Sequence, residues 1–153
     1  MNLHYLRHQF DLTSRALEYN IEGITDEESL SQPERGGNCV NWVVGHILES
    51  RDCMFEEFSG PAIMTDAERK KYQRGSDTII KADENILSLT VLRERLKESD
   101  KSLWKMLDTF ENEASKLSEE QEKSLAGYSF HEAYHVGQTA LLRRLLGKEG
   151  VIK

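Results

Sequence analysis

Apolar residues recur along the chain in alternating steps of three and four, the spacing that lines up one buried stripe on an α-helix. Leu3, Leu6, Phe10, Thr13 and Leu17 form such a stripe and predict a helix from Leu3 to about Tyr19. Val40, Val43, Val44, Ile47, Met54, Phe55 and Phe58 predict a second helix, from about Cys39 to Phe58. Leu92, Leu96, Ser99, Leu103, Met106 and Phe110 predict a third, starting near Thr90, with Arg93, Glu94, Lys97, Glu98 and Lys101 on its solvated side. A last helix is expected from about Ser129 to Leu146, with a buried arc of Phe130, Tyr134, Leu141, Leu142, Leu145 and Leu146. Four long amphipathic helices without a convincing strand point to an all-α four-helix bundle.

Capping and breaking residues punctuate this pattern. Thr25-Asp26-Glu27-Glu28 and Thr65-Asp66-Ala67-Glu68 have the form of capping boxes, which predicts a short helical turn at the first and a short helix through Tyr72 at the second. Pro33 and Gly36-Gly37 break the chain, and Asn38 is the expected N-cap of the second long helix. Gly60-Pro61 ends that helix. Residues 62–88 carry no long apolar period and read as a long crossover between the second and third long helices, a candidate cover for one end of the bundle. The acidic stretch 111–127 reads as a polar connection with room for some helix, closed by Gly127, with Ser129 as N-cap and Gly147 as C-terminal stop of the last helix.

The 153 residues suit one domain over 1–153, and 38% hydrophobic with 31% charged residues fits a helical protein with charged outer faces. A net charge of −7 argues against nucleic acid or an anionic membrane as partner. No run is long and apolar enough to span a bilayer, and Met1-Asn2-Leu3-His4 lacks the pattern of a signal peptide, so a cytoplasmic location is expected. Cys39 and Cys53, on one helix, would lie roughly 21 Å apart, too far for a disulfide, and are expected as free thiols.

The candidate chemistry lies in Phe130-His131-Glu132-Ala133-Tyr134-His135-Val136-Gly137-Gln138. Residues four apart lie about 40° apart on one helical face, so His131 and His135 can reach a single ion. Both fall within the expected buried arc, in line with Leu142. Burying two imidazoles among leucines is unfavourable unless they pair or bind something. A hydrogen-bonded structural pair is one reading and a metal pair the better one. The leading third ligand is His46, on the shoulder of the second helix beside Trp42 and Cys53. His4 and His8 are also four apart, but on a flank of the first helix that reads as solvated surface.

His131-Glu132-Ala133-Tyr134-His135 also matches the HExxH pattern of zinc proteases. The surrounding sequence does not support that reading: no histidine follows His135, and only Glu149 remains downstream, in a tail too short for a ligand-bearing helix.

His131-x-x-x-His135-Val136-Gly137-Gln138 with Leu141-Leu142-Arg143-Arg144-Leu145-Leu146-Gly147 resembles the last helix of the DinB/YfiT-like superfamily, and Asn38-x-x-x-Trp42-x-x-x-His46 is similar to its second. The resemblance implies a four-helix bundle in which His46, His131 and His135 hold a divalent metal, zinc or nickel, with water or substrate completing the shell. It also implies a homodimer and, as in some relatives, transfer of a low-molecular-weight thiol to a small-molecule substrate. Tyr134 and Gln138 lie near the histidine arc and can orient a ligand or water. Glu132 points roughly 80° away from the mean histidine direction and is kept as a weak base or supporting candidate. An enzyme, a non-catalytic metal- or ligand-binding module, and a purely structural bundle all remain open on the sequence.

Overall fold

The computed structural model describes residues 3–112 and 117–150. Among them the chain forms six helices and no strand: α1 (Leu3–Ile21), α2 (Asp26–Ser29), α3 (Val40–Glu57), α4 (Asp66–Tyr72), α5 (Leu89–Asn112) and α6 (Glu119–Leu145). The side chains of α1 and α3 expected to face inwards do so: Leu6, Phe10, Thr13 and Leu17 on one, Val40, Val43, Val44, Ile47, Met54 and Phe55 on the other. α1 packs against α5 and α6, and α3 against the same two, while the short α4 lies on α3. No helix among the described residues is long and apolar enough to cross a membrane. Cys39 and Cys53 are both free thiols.

Both threonine capping boxes form, with Thr25 and Thr65 each accepting from the backbone N–H three residues on, and the glutamates returning the bond. The cap of α3 differs from expectation. Cys39, not Asn38, is its N-cap, and no side chain caps it. At the other end of the chain Gly147, at φ +73°, closes α6. Its N–H reaches the carbonyl of Arg144 and the next N–H that of Arg143, the paired bonds of a Schellman stop.

The last helix is longer than its apolar pattern predicts. α6 starts at Glu119, capped by Ser118, whose side chain accepts from the Gln121 N–H while the Gln121 side chain accepts from the Ser118 N–H. Glu119, Glu120 and Glu122 sit in its first turn, where the helix dipole favours negative charge. The acidic composition that reads as a connection is therefore helix-start chemistry. Gly127 lies inside the helix in open space and breaks nothing, and Ser129 is a buried interior residue rather than a cap. Residues 113–116 of the expected connection lie outside the described residues.

The buried face of α6 is also rotated from the expected arc. Phe130 and Leu145 are 70% and 61% exposed, and Tyr134 and Leu141 are exposed as well; of the apolar residues of that arc only Leu142 is buried. Leu125, Ser129, Glu132, Val136 and Thr139 face inwards instead. The polar members Glu132 and Thr139 can be buried because long-range partners satisfy them: Thr139 accepts from the Asn20 amide of α1 at 3.1 Å and donates to the Val136 carbonyl at 2.7 Å.

The interior has two apolar clusters. One holds Leu17, Val43, Ile47, Leu48, Leu92, Leu96, Val136 and Leu142, the other Leu6, Phe10, Met54, Phe55, Leu103, Leu107 and Leu125. On each long helix a polar residue marks the boundary: Thr13, Arg51, Ser99 and Glu132, all buried. A polar layer thus crosses the core beside the histidine-bearing turn of α6.

Candidate metal centre

His46 comes from the middle of α3, His131 and His135 from successive turns of α6, and the packing of these two helices brings the three rings together. The Nε2 atom of His131 lies 3.2 Å from that of His46 and 3.1 Å from that of His135. Among the described residues these three form the group of side chains whose ligand atoms, all within 4.8 Å of one another, could hold a metal ion. His4 and His8 are exposed on α1 and take no part.

The partners of the other ring nitrogens fix where two of the protons are. His46 Nδ1 lies 2.7 Å from the Tyr72 carbonyl oxygen and His135 Nδ1 2.9 Å from Gln138 Oε1. The Tyr72 backbone carbonyl can only accept, and Gln138 presents its amide oxygen, so each Nδ1 carries the hydrogen and, in the neutral ring, each Nε2 presents a lone pair. Two lone pairs then face His131 Nε2, which as a neutral ring can donate a good hydrogen bond to only one of them. His131 Nδ1 is buried with no hydrogen-bond partner, so no acceptor behind this ring holds its proton on that nitrogen. A cation at the common point satisfies all three lone pairs. The spacing agrees: nitrogens bound to zinc at about 2.0–2.1 Å at tetrahedral corners are roughly 3.3 Å apart.

Charge and burial prepare the rings for that role. Burial, then the neighbouring His46, lowers the pKa of His131. Burial, opposed by the Gln138 bond and reinforced by His131 and His46, lowers that of His135 to about 4. Both rings are therefore neutral near pH 7, the protonation state a metal ligand needs. Glu49, one turn beyond His46, lies 3.5 Å from its Nδ1. Burial raises the Glu49 carboxyl pKa, but bonds to His46 and Cys53 and the charge of Arg69 outweigh it, so the group is held ionised. A carboxylate behind a ligand histidine increases its basicity. Trp42 stacks on the His46 ring at 4.6 Å, its own N–H tied to Ser76, and the exposed Tyr134 ring stands edge-on to His135 at 5.1 Å.

The expected catalytic candidates separate. Gln138 sits behind His135 and Tyr134 at the rim, both against the cluster. Glu132 is turned into the core: Arg51 Nε and Nη2 donate to its two carboxylate oxygens at 2.7 and 2.9 Å, and Thr13 donates at 2.6 Å. That full complement of bonds suits a fixed structural anion better than a base that must exchange protons. Sequence reasoning missed the carbonyl of Tyr72, for which no side-chain pattern signals, and Glu49, which the three-residue step from His46 could have indicated.

A family model of the DinB superfamily matches residues 9–139, most of the chain and all three histidines. The chain belongs to the DinB superfamily. No curated protein matches it. The family membership agrees with the all-helical fold, and within this DinB-superfamily chain the match takes in both helices that carry the cluster.

Proposed function

We propose that this DinB-superfamily chain is a single four-helix-bundle domain with residues 62–88 crossing over between α3 and α5, and that His46, His131 and His135 hold one divalent ion, zinc or nickel, in an open site acting on a small molecule. The observation that carries the reading is the convergence of three Nε2 atoms, two of them unprotonated because their Nδ1 atoms donate to carbonyl oxygens. No fourth histidine, cysteine or carboxylate joins the group among the described residues, and three protein ligands leave a four-coordinate ion one position for exchange. When bound, an ion on three neutral imidazoles keeps its full charge and lowers the pKa of a thiol or water, which suits transfer of a low-molecular-weight thiol to an electrophile, or hydrolysis.

The chain's own residues have separate tasks in this reading. Tyr72 and Gln138 hold His46 and His135 in the ligating tautomer, and ionised Glu49 strengthens His46. The buried Trp42 ring closes one side of His46 to water. Tyr134, exposed beside His135, contacts the substrate at the rim. The homodimer is supported by the exposed apolar stripe of Phe130, Leu141 and Leu145, which fall within about 60° on α6.

One observation favours a binding module without turnover. A cleft of about 510 Å³, within the range of small-molecule sites, lies between the 31–36 loop and the end of α6, and its lining includes Val40 and Leu142 but none of the three histidines. Thiol consumption separates the two readings. The enzyme gives electrophile-dependent loss of a low-molecular-weight thiol that chelator and His46→Ala abolish. Metal uptake without turnover on any thiol or ester tested leaves the binding module.

A further inference from the structure

The Arg51–Glu132 pair connects the histidine-bearing stretches of α3 and α6. Arg51 lies five positions beyond His46, about 7.5 Å along α3, and Glu132 lies between His131 and His135 in sequence. The guanidinium, 3% exposed, grips both carboxylate oxygens of Glu132 at 2.7 and 2.9 Å. Its remaining hydrogens go to Ser99 and Asp100 of α5, at 2.6 and 2.7 Å, and to Ser14 of α1 at 2.8 Å. Thr13 of α1 donates to the same Glu132 carboxylate at 2.6 Å. One side chain therefore touches all three other long helices at one level.

An apolar core tolerates small axial slips between helices, because leucine contacts exchange for one another at little cost. A two-pronged, charge-assisted hydrogen bond does not: it has one geometry, and missing it strands two buried charges. The ligand histidines need that exactness, since three nitrogens that all lie within 4.8 Å of one another lose their common point when α6 shifts by a fraction of a turn. The polar layer divides the two apolar clusters beside this turn, where a slip would matter most.

We infer that Arg51 and Glu132 are positioning residues for the metal centre: their pair sets the register of α6 against α3 and so the convergence of His46, His131 and His135. This rests on the metal reading proposed above. It assigns the glutamate of the HExxH-like run a role as an anchor of the ligand helix.

The test replaces the pair by apolar residues of similar size, Arg51→Met with Glu132→Leu, because such exchanges of buried ion pairs are commonly neutral or stabilising for the fold. Wild type and double variant are compared by urea unfolding of the metal-free proteins, by cobalt(II) affinity, and by the visible spectrum of the bound cobalt, which reports coordination geometry. The expected result is a folded variant of comparable stability whose cobalt affinity is weaker by about 10- to 100-fold, with a changed spectrum. A purely structural role moves the unfolding curve but neither affinity nor spectrum. Cobalt bound equally tightly by both proteins, with the same spectrum, overturns the inference and leaves the metal site standing. No cobalt uptake by wild type overturns the metal reading and this inference with it. If the double variant does not fold, Glu132→Gln, which keeps the shape and one acceptor oxygen, provides the same comparison.

Discussion

The carbonyl oxygen of Tyr72 accepts from His46 Nδ1 at 2.7 Å, and the ring of the same tyrosine lies directly over Gly45, the residue before that histidine. A Cβ at position 45 would sit 2.1 Å from Tyr72 Cδ1. The hydroxyl is pinned too: it donates to Asn41 Oδ1 at 3.1 Å and accepts from the Leu87 N–H at 2.8 Å. The last turn of α4 is thus seated on α3 by a glycine notch, and the seat delivers the acceptor that fixes the His46 tautomer.

Gly45→Ala should therefore do two things at once. Overpacking against the Tyr72 ring should destabilise the fold by about 1–3 kcal/mol in urea unfolding. Displacement of the Tyr72 carbonyl should weaken zinc affinity by about 10-fold or more. Tyr72→Phe keeps the ring in the notch and should leave zinc affinity closer to wild type. Equal zinc affinities in wild type and Gly45→Ala would show that the notch does not serve His46.

The low pKa of His135 makes the metal-free protein sensitive to acid. Burial holds this imidazole at about 4, against an ordinary value of 6.5. A folded-state pKa below the unfolded one contributes stability that is full above 6.5 and is lost as pH falls towards 4, because the unfolded chain takes up the proton first. Between pH 7 and 4.5 the stability gap separating chelated wild type from His135→Gln should shrink by about 1–3 kcal/mol. A gap that stays constant over that range contradicts the assignment.

Ser118 tests the start of α6. Its side chain caps that end through the Gln121 N–H. Ser118→Ala should cost about 1 kcal/mol and raise amide exchange in the first turns of the helix, with little effect on metal affinity. Unchanged exchange across 119–125 would mean that packing of the buried Leu125 alone holds this end.

How much could be read from the sequence follows from what each signal depends on. The stripes of α1 and α3, the Thr25 and Thr65 caps and the shared face of His131 and His135 rest on local spacing, and local spacing was sufficient; His46, 85 residues from His131, is legible only through its place on a helix shoulder and the family resemblance. The early turns of α6 carry few apolar residues, so periodicity is silent there, although Ser118-Glu119-Glu120-Gln121 has capping-box form. The rotated face of α6 was hidden for another reason. Placing Phe130 and Leu145 inside is the natural choice when apolar residues alone are counted. What decides the matter is that Glu132 and Thr139 find partners on α3 and α1, more than 80 residues away in the chain for Arg51 and more than 115 for Asn20. The same long reach conceals the polar layer. Arg51 in the sequence is one more charged residue on a helix; only packing makes it a centre.

The most direct test of the account is the metal content of the protein itself. Elemental analysis and zinc titration of gently purified wild type should give close to one divalent ion per chain, and His46→Ala and His135→Ala should each lose it while remaining folded by circular dichroism. Wild type that neither carries nor takes up zinc or nickel, or variants that keep the ion at full stoichiometry, would contradict the three-histidine centre.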